Sequence, residues 1–212
     1  MTGNPKYEMS PTDWWRTEIT DMAPGQLRLR GRPIEELIGN VSFAQMVWLM
    51  LRGEVPGKEQ AALLEAALVS AVDHGPQAPS IAVARMSVTC GASLNGAMAS
   101  ALNMLDDVHG GAGEQAAELY VRVENRLKGG ETLEGAVAAE LDDYTPDNRG
   151  KFVPGFGHRF HKPTDPRTPR LLTLADDAAA AGVISGGLVA IARAIGAALG
   201  RRKGSALAMN VD

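Results

Sequence analysis

The chain has 212 residues and a mass of 22.4 kDa, and 45% of its residues are apolar, enough to build a sizeable core and to exclude global disorder. Its 21 Lys and Arg against 25 Asp and Glu give a formal charge of -4, which argues against a partner held by bulk positive charge, whether nucleic acid or a membrane surface. Cys90 is the sole cysteine, so no intrachain disulfide can form, and a reducing, cytoplasmic setting is expected.

The first fifteen or so residues carry no apolar core flanked by basic residues and read as peripheral. Between Thr17 and Gly31, two short segments alternate partly around Pro24-Gly25, which predicts a small two-stranded β element. A helical turn or two follows Pro33. Ser42 is placed to cap a helix over residues 43–53, and Pro56-Gly57 breaks it before a longer helix with a charged start. Ser80 is placed to cap the text from residue 81 to 107, read as two helices or one bent one. The uncharged run from Met86 to Leu105 includes six Ser, Thr or Asn residues and reads as a buried helix, not a membrane span. Its small residues Gly91, Ala92, Gly96, Ala97 and Ala101 fit an interior where helices cross closely, and Cys90 reads as packing material there.

Two more helices are predicted over residues 114–130 and 131–144, and two over 170–182 and 185–204. Between them, residues 145–169 form a polar segment rich in Pro, Gly, Arg and Lys, a length that a helical protein keeps for binding. The whole reads as mainly α-helical with a minor N-terminal β element. A boundary near His109 divides it into a large helical domain, 1–112, and a smaller lobe, 113–212.

Chemistry concentrates on four histidines, His74, His109, His158 and His161, because imidazole can move a proton or bind an anion near neutral pH. His109 opens the run HGGAGE just before a helix, where unpaired backbone donors suit a developing oxyanion. The run lacks the Gly-Lys-Ser/Thr ending of a phosphate loop. A metal set of His158, His161 and Asp165 competes on spacing, but Gly155, Gly157 and Pro163 argue against a shared helical face, and no metal is expected. Arg201, Arg202 and Lys203 read as a solvated helix end.

Six blocks in order, GQLRLRGRPIEELIG, LRGEVP, VDHGPQAPSIAVAR, DVHGGAGE, VPGFGHRFHKPTDPR and NVD, resemble the citrate synthase superfamily, and especially its short citryl-CoA lyase-like members. The resemblance implies a citrate synthase-like helical fold, a large domain and a smaller lobe in a homodimer. It implies His109, His158 and Asp212 as the catalytic residues. Asp212 would remove the methyl proton of acetyl-CoA, His109 would hydrogen-bond the enol or enolate oxygen, and His158 would polarise the oxaloacetate carbonyl and protonate the alkoxide. Cleavage of citryl-CoA runs these steps backward. His74 and Arg167 match residues that hold the acid's carboxylates. Val153, Pro154, Gly155, Phe156, Gly157, Arg159 and Lys162 match the coenzyme A segment, with Arg85 a further candidate. No tightly bound cofactor is implied; the coenzyme A thioester is substrate or product, and the partners are acetyl-CoA or citryl-CoA and oxaloacetate-like acids. Cleavage of citryl-CoA is placed ahead of citrate formation, with a non-catalytic CoA- or acid-binding protein as a third reading. The chain stops at the NVD motif, where family members continue with helices that return to the large domain, so Asp212 is expected to lack the support of a following helix.

Overall fold

The computed structural model describes residues 10–73, 75–147, 153–158 and 160–211, with residues 145–147 described for their backbone alone. His74, Arg159 and Asp212 lie outside the described residues. The chain divides into two compact units, 1–64 and 65–212.

The first unit holds α1 (Pro11–Trp14), β1 (Thr20–Ala23), β2 (Gln26–Leu29), β3 (Arg32–Pro33), α2 (Ile34–Leu37), α3 (Phe43–Arg52) and the start of α4 (Lys58–Ser70). The sheet is antiparallel in the order β1-β2-β3, with Thr20 opposite Leu29 and Arg28 opposite Pro33. The expected pair of strands thus gains a third, whose two residues are too few to show alternation. Ser42 does cap α3: its Oγ accepts from the Gln45 N–H while the Gln45 side chain accepts from the Ser42 N–H.

The second unit is helical. It contains α5 (Pro79–Thr89), α6 (Leu94–Leu102), α7 (Ala112–Lys128), α8 (Leu133–Asp147), α9 (Arg167–Ala180) and α10 (Gly187–Lys203). Its core lies among α7, α8 and α10. Helix α7 buries Ala116, Leu119 and Val123, a spacing that keeps them on one face, and α10 turns Ile191, Ile195, Ala198 and Leu199 toward them. Val137 and Leu141 of α8 and Phe156 close the cluster. Glu140 is buried at its edge, accepting from Arg122 Nε at 2.9 Å and Arg126 Nε at 2.6 Å. Burial pushes its carboxyl up, yet the hydrogen bonds from the two guanidinium groups outweigh burial and hold it below the usual range.

The uncharged run does not form a buried helix. It is split between α5 and α6, and of these two helices Ala97 alone is buried. Met86, Leu94, Met98 and Leu102 are each more than half exposed. The two helices pack on each other and leave these larger side chains mostly open. Cys90 likewise is exposed rather than packed, at the C-terminal end of α5.

Candidate active site

The segment from Val153 to His158 is held by the residues just before the NVD aspartate. Gly157 N–H donates to the Ala208 carbonyl at 2.7 Å, and Asn210 N–H donates to the Gly155 carbonyl at 2.8 Å. Phe156 and Met209 form a single antiparallel bridge, and Thr168 Oγ1 donates to the Met209 carbonyl at 2.7 Å. Two of the sequence blocks, VPGFGH and NVD, are therefore stitched together through the backbone. Gly155 has φ +78, and a Cβ there would come within 3.2 Å of Tyr120 Oη, so both conformation and space ask for glycine.

His158 follows on this platform. Its Nδ1 accepts from two backbone N–H groups, Phe160 at 3.0 Å and His161 at 2.9 Å. An Nδ1 that accepts leaves the proton of the neutral ring on Nε2, which makes Nε2–H the donor.

Two cavities meet at this residue. The larger, about 820 Å³, is lined by Gly157, His158, Lys162, Pro163, Lys203 and the stretch from Ser205 to Ala208. The smaller, about 330 Å³, is lined by Asp73, Gln77, His158, Phe160, His161, Pro166 and Arg167. His158 is common to both. Lys203, read from sequence as part of a solvated helix end, thus lines the same cavity as Lys162. Only the tertiary path of residues 203–208 reveals this. Of the expected coenzyme A segment, Gly157 and Lys162 line the larger cavity, whereas Val153, Pro154, Gly155 and Phe156 do not.

Arg167 opens α9. It donates through Nε and a terminal nitrogen to the two oxygens of Asp165, at 3.0 and 2.7 Å, and through its other terminal nitrogen to the Ser70 carbonyl. Asp165 is wholly buried, and the Arg167 side chain brings its carboxyl down to about 2. Donor atoms of His158, His161 and Asp165 lie within 4.8 Å of one another. They fit a metal poorly, because both Asp165 oxygens already accept from Arg167, whose positive charge stands beside the set.

His109 lines neither cavity. Its Nε2 sits at the start of α5, 3.0 Å from Ser80 Oγ and accepting from the Ser80 N–H at 3.3 Å. The sequence placed Ser80 as a helix cap and His109 at the start of α7. Pro79 begins α5 one residue earlier, and the Ser80 hydroxyl turns to the imidazole instead. A ring that accepts at Nε2 carries its proton on Nδ1. The adjacent Gly111 has a physical reason: a Cβ there would fall 2.8 Å from the Asp107 Cα.

Residues 8–65 and 50–212 match the family model for citrate synthase, C-terminal domain. A citrate synthase of Deinococcus radiodurans is 33% identical over 131 residues, covering 61% of this chain, and the match spans 32% of that relative's length. Among solved structures, the citryl-CoA lyase from Hydrogenobacter thermophilus superposes with a TM-score of 0.77 at 34% identity, covering 93% of this chain and 72% of that one. The ATP citrate lyase from Methanothrix soehngenii, solved with citrate and coenzyme A, shares the fold at 21% identity with a TM-score of 0.74, covering 93% of this chain and 30% of that one.

Proposed function

The chain belongs to the citrate synthase family, and from that premise we propose that it cleaves citryl-CoA to acetyl-CoA and oxaloacetate through an enol or enolate. The observation that carries this reading is the place of His158, a ring with its donor on Nε2, in the lining of both the larger and the smaller cavity. The larger cavity has the lysines, Lys162 and Lys203, that a coenzyme A phosphate would need. The smaller has Arg167 for a carboxylate.

In the addition sense, Asp212 takes a methyl proton from acetyl-CoA and His109 donates its Nδ1–H to the thioester oxygen as charge develops there. A weakly acidic carbon yields its proton to a carboxylate only when such a donor is already in place. The enol carbon attacks the oxaloacetate ketone, whose oxygen receives the proton of His158 Nε2. The two backbone N–H groups on His158 Nδ1 favour the electron-rich ring left behind. Cleavage retraces the path from the state that addition leaves, Asp212 protonated and the His158 ring without its Nε2 proton: Nε2 takes the hydroxyl proton, the carbon-carbon bond breaks with His109 donating to the enolate oxygen, and Asp212 returns its proton to carbon. His74 completes the acid site and Arg159 the coenzyme A site in this proposal.

The same proposal sets the protein in the cytoplasm as a homodimer, with the smaller lobe 113–212 closing on the site. The exposed Met86, Leu94, Met98 and Leu102 of α5 and α6 supply an apolar face that a second copy would cover. Among the described residues no helix is long and apolar enough to cross a membrane.

Product analysis tests the reaction. Citryl-CoA mixed with the protein should yield acetyl-CoA and oxaloacetate, read by mass spectrometry. Release of free citrate and coenzyme A in place of these products would favour the synthase-type reaction, which includes thioester hydrolysis. Bound but unchanged citryl-CoA would favour the binding-protein reading and contradict both activities.

A further inference from the structure

Helix α9 carries two threonines that use their hydroxyls differently. Thr173 is exposed, and its Oγ1 donates to the Pro169 carbonyl four residues back, the local bond open to any helical threonine. Thr168 is buried, and its Oγ1 donates at 2.7 Å to the Met209 carbonyl, 41 positions away. Both ends of this long-range bond are themselves fixed. On the α9 side, Asp165 Oδ1 accepts from the Arg167 N–H and from Arg167 Nε, each at 3.0 Å, while its carbonyl accepts from the Thr168 N–H at 3.3 Å. On the other side, Met209 is bridged to Phe156, which is seated in the core, and the bonds from Gly157 to Ala208 and from Asn210 to Gly155 flank the bridge.

Arg167, one residue before Thr168, and His158, one residue after Gly157, both line the smaller cavity. Thr168 itself lines neither this cavity nor the larger one. Its hydroxyl joins the turn that carries the guanidinium to the strand that carries the histidine platform. We propose that Thr168 is a positioning residue, whose bond to Met209 sets the separation of Arg167 from His158 Nε2. One end of that separation holds the acid's carboxylate and the other meets its ketone or hydroxyl oxygen, so the bond fixes how well proton donor and oxygen are aligned. Valine fills the same volume without a donor, which frees the turn to shift against the strand. Binding draws on contacts along the whole of citryl-CoA, whereas proton transfer depends on one distance, so the loss falls on the rate.

This role rests on the proposed reaction, and two readouts separate them: single-turnover cleavage of citryl-CoA with protein in excess, and amide hydrogen exchange at Gly157 and Asn210 followed by NMR. Thr168→Val should bind citryl-CoA within about threefold of the wild type and cleave it roughly 10 to 100 times more slowly, the scale of a displacement of about 1 Å. The same protein should exchange the Gly157 and Asn210 amides faster. Thr168→Ser, which keeps the donor, should restore both rate and protection, and Thr173→Val on the same helix should leave both unchanged. Thr168→Ala, with room for a water at the Met209 carbonyl, serves in the same way where the valine protein does not fold. Wild-type cleavage by Thr168→Val or Thr168→Ala, or a Thr168→Ser protein as slow as these, would overturn the role. Unchanged protection of both amides in the donor-free variants would also overturn it, with the proposed reaction left standing. No cleavage by the wild type would overturn the reaction, and the role with it.

Discussion

Helices α5 and α6 and the trio α7, α8 and α10 draw on similar apolar vocabularies and end differently. The trio buries Leu119, Val123, Val137, Leu141, Ile191 and Ile195 in one cluster, while α5 and α6 bury Ala97 alone and leave Leu94 and Met98 in the open. Apolar content therefore does not decide burial; cover by another element does. Where the apolar residues recur on one side, as in α7, the chain covers them itself. Where they lie around the helix, as in α5 and α6, part of the apolar surface stays exposed.

The largest expected effect tests the covered side. Ile195 is fully buried, and Ile195→Ala should lower the unfolding free energy by roughly 2 to 5 kcal/mol, measured by urea denaturation. A change within about 0.5 kcal/mol would mean that the cluster is not the stabilising core.

A smaller effect comes from Glu140, which ties α8 to α7 through Arg122 and Arg126. Its folded carboxyl lies below the ordinary range of a glutamate, so its contribution is complete above that range and fades as pH falls through the lowered value. Glu140→Gln should lose about 1 to 3 kcal/mol at pH 7, as charge-assisted hydrogen bonds to a buried group imply, and should flatten the acid limb of the stability curve. An acid limb unchanged by the substitution would assign that loss of stability to other carboxylates.

The smallest effect on folding sharpens the uncovered side. Leu94→Lys should change stability by no more than about 0.5 kcal/mol, since the residue is 76% exposed. The same substitution should leave the proposed dimer monomeric in sedimentation, because it places a charge on the exposed apolar face. A dimer that survives both Leu94→Lys and Met98→Lys would put the interface elsewhere.

Much of the fold was legible in local chemistry. Ser42 and Gln45 three residues apart announce the capping box of α3, and Pro56-Gly57 marks the gap before α4. The third strand was not, because Arg32 and Pro33 carry no period. Burial of the Met86–Leu105 run was misread because a sequence shows how apolar a helix is and not what lies over it. At the site, Lys162, His158 and Arg167 were legible as members of motif blocks, and the structure places them on two adjoining cavities. Lys203 was missed since its place depends on how residues 203–208 fold back. Ser80 was assigned to a helix cap, although its partner, His109, lies 29 positions away. His161 was legible as a histidine of the same block, but its place in the lining of the smaller cavity is a tertiary fact.

The central claim is that His158 performs proton transfer at the junction of the two cavities, and single-turnover cleavage of citryl-CoA with protein in excess tests it most directly. His158→Gln should bind citryl-CoA within a few fold of the wild type yet cleave it roughly 100 to 10,000 times more slowly, the span that a positioned acid–base group supplies. Cleavage at the wild-type rate by the saturated His158→Gln protein would contradict the account.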